Sequence, residues 1–168
     1  LTITSGAGND TVLLGAAGSV VDAGAGDNTV VVGADNDGVH NDDITAGAGD
    51  DLIKTLDAQL SNALKISAGG GGDTLQVTDD ASVADIDLTQ VAGVEVLQLI
   101  ADAVDDAQSV ILAAQASAGA FNMVDATSVG ADDVITIDAS AFSDFLSINS
   151  GGSDDIVTLG SGGSVAQL

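Results

Sequence analysis

Residues 5–40 read SGAGNDTVLLGAAGSVVDAGAGDNTVVVGADNDGVH. The stretch divides into four consecutive nonapeptides, SGAGNDTVL, LGAAGSVVD, AGAGDNTVV and VGADNDGVH, each with glycine second and an aliphatic residue eighth. The sixth position holds Asp10, Ser19, Asn28 and Asp37, small polar side chains that carry an oxygen back into a turn. Further copies follow as AGAGDDLIK from Ala46, AGGGGDTLQ from Ala68 and SGGSDDIVT from Ser150.

Taking the sixth position as a marker, Asp10, Asn28, Asp51 and Asp73 lie 18, 23 and 22 residues apart. Near the other end, GADDVITI from Gly130 and GSDDIVTL from Gly152 recur at a spacing of 22, which gives Asp133 and Asp155 the same role. Two residues after each marker comes an aliphatic residue: Val12, Val30, Ile53, Leu75, Ile135 or Val157. Alternating apolar positions after an acidic glycine turn describe a short strand with one buried face. One such unit cannot bury that face alone, and stacking coils is the remedy. The expectation is an all-β, right-handed parallel β-solenoid, a single domain over 1–168, with these six aliphatic residues in one interior row.

Residues 1–81 and 129–168 carry the repeat, and 82–128 form a degenerate middle. There, strands are expected at Asp85–Leu88, Val94–Leu99, Val110–Leu112 and Phe121–Val124, with a short helical turn at 113–118 where the sequence is AAQASA. The span from Asp73 to Asp133 has room for three coils of about 20 residues. A longer periodicity is also present. Residues 146–165 match 1–20 without gaps at eleven of twenty positions, so the two ends read as equivalent coils.

Composition narrows the function. There are 26 acidic residues against two lysines, for a formal net charge of −24, which excludes binding to nucleic acid phosphates. At 45% apolar residues the chain is too hydrophobic for a disordered acidic tail. It lacks Cys, Pro, Trp and Tyr, so it has neither disulfides nor thiolate metal sites, and stacking on sugars or bases has almost nothing to use. The longest uncharged stretch, 107–124, holds Gln108, Gln115 and Asn122, which argues against a membrane span. The opening at Leu1, without an initiator Met, reads as a piece of a longer or processed chain.

The nonapeptides resemble the RTX, or haemolysin-type, repeat of the form GGxGxDxUx, where U is a large aliphatic residue. The resemblance is strong over 5–40 and good at 46–54, 68–76 and 150–158. It implies a calcium-binding parallel β-roll in which each nonapeptide makes half a coil and Ca²⁺ sits between successive turns, held by turn carbonyls and sixth-position acids. The implied metal positions are Asp10, Asn28, Asp37, Asp51, Asp73, Asp133 and Asp155. This sequence departs from the pattern at Ser19 and Asn28, and Ser or Ala often replaces the first glycine.

Elementary chemistry leads to a similar place. Glycine supplies the turn conformations that let carbonyls converge on a cation, and Asp has the short reach to join them. Stacked coils bring the markers to about 4.8 Å, a carboxylate ladder that opposes folding unless it is neutralised. His40, the only histidine, reads as a solvated loop residue, and the pairs Asp42/Asp43, Asp79/Asp80 and Asp105/Asp106 read as solvated turns. No GxSxG elbow, HExxH, P-loop or dinucleotide fingerprint is present, and an enzyme is not expected.

The leading expectation is a non-catalytic extracellular calcium-binding structural protein of the bacterial surface, in a surface layer, adhesin stalk or filament. It would be exported by type I secretion, would associate with copies of itself end to end or in tandem, and would be anchored to cell-surface glycan or lipid through regions outside this chain. The alternative is the secretion-linked calcium module of a larger exported enzyme or toxin. An ice-binding threonine ladder is disfavoured, because the outward position reads Thr11, Thr29, Leu52, Thr74, Val134 and Ile156.

Overall fold

The computed structural model describes residues 1–34, 42–60, 64–79, 81–100, 107–130, 133–152 and 154–168. Over these residues the chain is a β-solenoid of about seven turns in which every strand pairing is parallel. The first half alternates a longer and a shorter strand: β1 (Thr2–Ala7) and β2 (Thr11–Leu13), β3 (Val20–Ala25) and β4 (Thr29–Val31), β5 (Asp43–Ala48) and β6 (Leu52–Thr55), β7 (Lys65–Gly70) and β8 (Thr74–Val77). There follow β9 (Ser82–Val83), β10 (Val91–Ala92), β11 (Val96–Ile100), β12 (Gln108–Ile111), the helical turn α1 (Ala114–Ala118), β13 (Met123–Ser128), β14 (Ile135–Asp138), β15 (Ser147–Asn149), β16 (Ile156–Thr158) and β17 (Val165–Gln167).

Three sheets result. An early sheet is ordered β1-β3-β5-β7-β10, and a late sheet β16-β14-β12-β9. Between them an eight-stranded spine, β17-β15-β13-β11-β8-β6-β4-β2, runs through every coil. Its register joins Thr11, Thr29, Leu52, Thr74, Val96, Met123, Ser147 and Val165 in one line. The coils are unequal in length: the step from β2 to β4 is 18 residues, and the step from β11 to β13 is 27 residues.

Of the six residues expected in one interior row, Val12, Val30, Ile53 and Leu75 share it, and Leu97, Val124 and Ile148 extend it. Ile135 and Val157 do not belong to it. They lie in the late sheet, where Ile137 rather than Ile135 stands opposite Val157. The physical reason is coil length. The short first coil holds two strands, whereas the long coils after β8 have room for a third side, which β9 opens. For the same reason the spine advances from β8 by only two steps, to β11 and then to β13, before the chain reaches Asp133, and three coils of equal length are not formed. The matching ends also take different sheets. Residues 2–4 enter the early sheet, but their counterparts 147–149 enter the spine.

In the middle, α1 falls where AAQASA predicts it, and strands occupy the other expected places with shifted bounds. Asp85–Leu88 is instead a 3₁₀ turn. Its alternation of Ile86 and Leu88 imitates a strand, but Ile86 is exposed and only Leu88 is buried. Two carboxylates fix the turn. Asp87 accepts from the Ala84 amide at 2.9 Å, and Asp85 accepts from the first-turn amides of α1, from Ala113 at 2.7 Å, Gln115 at 3.2 Å and Ala116 at 3.1 Å.

The interior is one contiguous apolar core from Val12 to Ile148. Glycine permits the close stacking at its edge. At Gly47 the backbone φ is +113°, and a Cβ there would lie 1.6 Å from the Gly24 carbonyl oxygen of the coil before. Replacing Gly47 by Ala is therefore expected to cost about 3 kcal/mol or more, combining left-handed strain with a backbone clash. Gly70→Ala, where a Cβ meets nothing within 4 Å, should change stability by less than about 1 kcal/mol. Urea unfolding of both variants checks the contrast.

Candidate acidic turn ladder

The turns that join the early sheet to the spine lie on top of one another. Asp10, Asn28, Asp51 and Asp73 occupy equivalent places, each one residue before the aligned spine residues Thr11, Thr29, Leu52 and Thr74. Each amide donates to the side chain of the next coil: Asp10 N–H to Asn28 Oδ1 at 3.0 Å, Asn28 N–H to Asp51 Oδ1 at 2.7 Å, and Asp51 N–H to Asp73 Oδ1 at 2.8 Å. Glu95 continues the row, accepting from the Asp73 amide at 2.8 Å.

A second row lies one residue earlier and runs the other way. Asn9 Oδ1 accepts from Asp27 N–H at 2.9 Å, Asp27 Oδ1 from Asp50 N–H at 3.0 Å, and Asp50 Oδ1 from Gly72 N–H at 2.8 Å. Successive turns are thus stapled in both directions by side-chain oxygens. The outer row is spelled out in GND, GDN and GDD, one place before each marker, but a single polar residue in a turn does not by itself declare a ladder. Glu95 was hidden by its longer side chain in Gly93-Val94-Glu95, although it stands 22 residues after Asp73.

The inner row is buried, with Asn28, Asp51 and Asp73 all 2% exposed or less. Asn28 is fully used: its Nδ2 donates to the carbonyls of Gly26 at 2.8 Å and Ala46 at 3.2 Å. Asp51 presents an oxygen where Asn28 presents that nitrogen, and by register the equivalent carbonyls are those of Gly49 and Ala68. Oδ2 of Asp51 and Oδ2 of Asp73 are buried without a hydrogen-bond partner. Such an oxygen beside carbonyls calls for a proton or a cation. Burial is the chief cause that pushes both carboxyls above the usual aspartate range; bonds from the coil before pull them back, and neighbouring acids add to the rise.

The remaining sequence-derived positions separate. Asp155 lies on the edge of the late sheet, where its Oδ1 accepts from Ile135 N–H at 3.0 Å. The late sheet sets Thr136 opposite Ile156, a shorter step than the one from Asp133 to Asp155, so these two acids are not equivalent. Asp133 closes a local turn, with Oδ2 accepting from Gly130 N–H at 3.0 Å. Asp37, His40, Asp80, Asp105 and Asp106 lie outside the described residues. Asp42 is not a solvated turn residue. It is 1% exposed, and its Oδ1 accepts from Ser19 N–H at 2.6 Å on the opposite edge of the early coils. Asp43 instead pairs with Lys65 at 2.8 Å on the exposed face, and Asp79 accepts from the Asp57 amide at 2.7 Å.

Among the described residues, no three His, Cys, Asp or Glu side chains converge on one point. A cation at Asp51 or Asp73 would therefore draw most of its ligands from backbone carbonyls, an all-oxygen set that suits a hard divalent ion. Also among the described residues, no helix is long and apolar enough to cross a membrane. Comparison with protein-family models, with curated proteins and with solved structures finds no match.

The raised carboxyls have a signed consequence. A folded state that holds protons more tightly than the unfolded chain has that stability in full below the ordinary carboxylate value and loses it as pH rises through the raised one. In chelator, Asp51→Asn should therefore stabilise the protein at pH 7, by about 1–3 kcal/mol, because the new amide repeats the bonds of Asn28. The gap from wild type should close as pH falls through the raised value. Thermal melts across pH check both statements. Asp125, held below its usual range by bonds from Thr127 and Gln98 that outweigh its burial, contributes in the opposite sense in both proteins and cancels in the difference.

Proposed function

We propose that this chain is a non-catalytic structural solenoid whose turn ladder binds Ca²⁺, and that it serves outside the cell, at a bacterial surface, in assemblies built from copies of itself. The observation that carries the reading is the contrast within one ladder. Asn28 satisfies two carbonyls with a nitrogen, while Asp51 and Asp73 leave a buried oxygen without a donor. A divalent cation supplies the missing positive charge, and Asp51, Asp73 and the adjoining glycine carbonyls are the groups that would hold it. The RTX-like nonapeptides point the same way.

Support for a structural role comes from how the polar groups are spent. Acids of both ladder rows bond main-chain amides of neighbouring coils, which links coils together and leaves no convergent set for acid–base work. An extracellular setting fits a site assembled mainly from neutral carbonyls, for which an affinity of about 10⁻⁴–10⁻³ M is expected. A charge of −24 keeps the acidic coils apart from one another, and cations in the medium offset it. Export by a type I route, and anchoring through other regions, belong to the same reading.

Calcium at millimolar concentration should raise the melting temperature of the wild-type chain by several degrees or more, and chelator should reverse it. Magnesium, which demands tighter octahedral geometry, should do much less. Asp51→Asn and Asp73→Asn together should abolish the calcium increment while leaving the chain folded. Calorimetric titration with no heat of calcium binding, together with identical melts in calcium and chelator, would sink the proposal.

A further inference from the structure

We propose that copies of this chain stack head to tail, β1 of one copy pairing with β16 of the copy before it and β2 with β17, so that the spine runs unbroken from copy to copy. The inference rests on the reading above that the protein assembles from copies of itself, and it specifies the contact.

At the two ends of the stack, four strands have a neighbour on one side only. Among the described strands β1 pairs with β3 alone, β2 with β4, β16 with β14 and β17 with β15. Free edges of this kind recruit another strand unless charge or a covering segment prevents it. Here the charge is lowest where the edges are. Of 26 acids, Asp10 is the only one in residues 1–20, and Asp154 and Asp155 are the only ones in 145–168. Exposed large apolar residues gather in the same two places, among them Leu13 and Val20 at one end and Ile156 and Val165 at the other. The repulsion of a −24 chain is therefore weakest at the surfaces that would meet.

The two ends also match in geometry. From β1 to β3 the chain makes a short, two-sided coil, and from β15 to β17 it makes another of the same length, with eleven of twenty residues identical between 1–20 and 146–165. A coil cut to one pattern can rest on a coil of the same pattern without a change of pitch.

Pitch then selects the pairing. The chain climbs half a coil from β15 to β16 and another half from β16 to β17. The lowest open position is on β16, and the next is on β17. An incoming β1 followed by β2 fills these positions in order. The opposite assignment, β1 on β17 and β2 on β16, leaves a gap one strand wide above β16. With the chosen pairing Ile3 comes to rest against Val157, and these are the two partly buried residues that flank the apolar core. In the spine Val12 meets Ala166, and Leu13 falls opposite Gln167.

Cysteine pairs test this directly, since the chain has none of its own. Two double variants report the proposed register, Leu13→Cys with Gln167→Cys, and Thr4→Cys with Thr158→Cys. Two others report the rival, Thr4→Cys with Gln167→Cys, and Leu13→Cys with Thr158→Cys. The ends of one copy lie about 30 Å apart along the stack, so a short cross-link joins only different copies. Mild oxidation in calcium should yield multimer ladders from the first two variants, at least tenfold more than from the others, with light scattering of the untreated wild type showing concentration-dependent association. Association with equal or greater cross-linking in the rival variants would overturn the assigned pairing while leaving self-assembly standing. Strictly monomeric scattering without cross-links would overturn the pairing and the assembly reading together.

Discussion

Parallel stacking of coils is the constraint on which everything else in this molecule depends. Once β2, β4, β6 and β8 are held in register by main-chain hydrogen bonds, whatever residue opens each strand is repeated about every 4.8 Å along the edge. A column of aliphatic residues becomes a core, a column of glycines becomes a tight turn, and a column of acids becomes a line of charge. Two ionised carboxylates at that spacing repel by on the order of 3–4 kcal/mol at a partly wet edge. One amide bond to a charged oxygen returns about 1.5–3 kcal/mol. The staples therefore come close to balancing the repulsion without overcoming it. That near balance is why neutral Asn28, the protonation of Asp51 and Asp73, or a bound cation has leverage over the whole stack.

The first four coils were legible because their repeat is local. Glycine at the second position, an acid at the sixth and an aliphatic residue at the eighth fix both strand parity and register, and the spacings read from the markers Asp10, Asn28, Asp51 and Asp73 are the spacings of the spine. The candidate ladder was legible for the same reason, as far as Asp73. What failed to show was which sheet a strand would join. Ile135 and Val157 have the right neighbours in sequence, yet they line a different face, because β9 gives the coil a third side and the late sheet then keeps its own register. Nothing within a nonapeptide encodes the number of sides of the coil that contains it. Partner identity across a solenoid is set by the total length between strands, and along this spine that length grows by half from the first coil to the one between β11 and β13.

The change of cross-section is managed by a single acid whose place in the sequence gave no sign of its use. Asp85 sits in a stretch that alternates like a strand, but its carboxylate gathers the Ala113, Gln115 and Ala116 amides and so ties the 3₁₀ turn of one coil to the helical turn of the next. Those amides have no partner within the helix, and an acceptor at the start of a turn is worth about 1 kcal/mol or more. On the outer face of the spine, Gln76 donates to Gln98 at 2.5 Å and Gln98 to Asp125 at 3.0 Å, across the step from a shorter coil to the longest one. Both devices hold register where coil length changes, the point at which repeat sequence offers least guidance.

The placement of Asn28 follows from the same electrostatics. It stands second in the inner row, between Asp10, which is only partly buried, and the fully buried pair Asp51 and Asp73. An acid at that place would lie within one coil spacing of two others and add two repulsive pairs, while gaining no more from its staple than the amide does. As Asn it keeps the acceptor that bonds the Asp10 amide and converts the second oxygen into a donor for Gly26 and Ala46. The ladder is thereby split into a solvated end that tolerates charge by hydration and a buried segment that does not. Only the buried segment requires an added positive charge, so the responsive part of the edge is confined to the coils of β6 and β8, at the centre of the repeat region, where stacking on both sides makes displacement most costly.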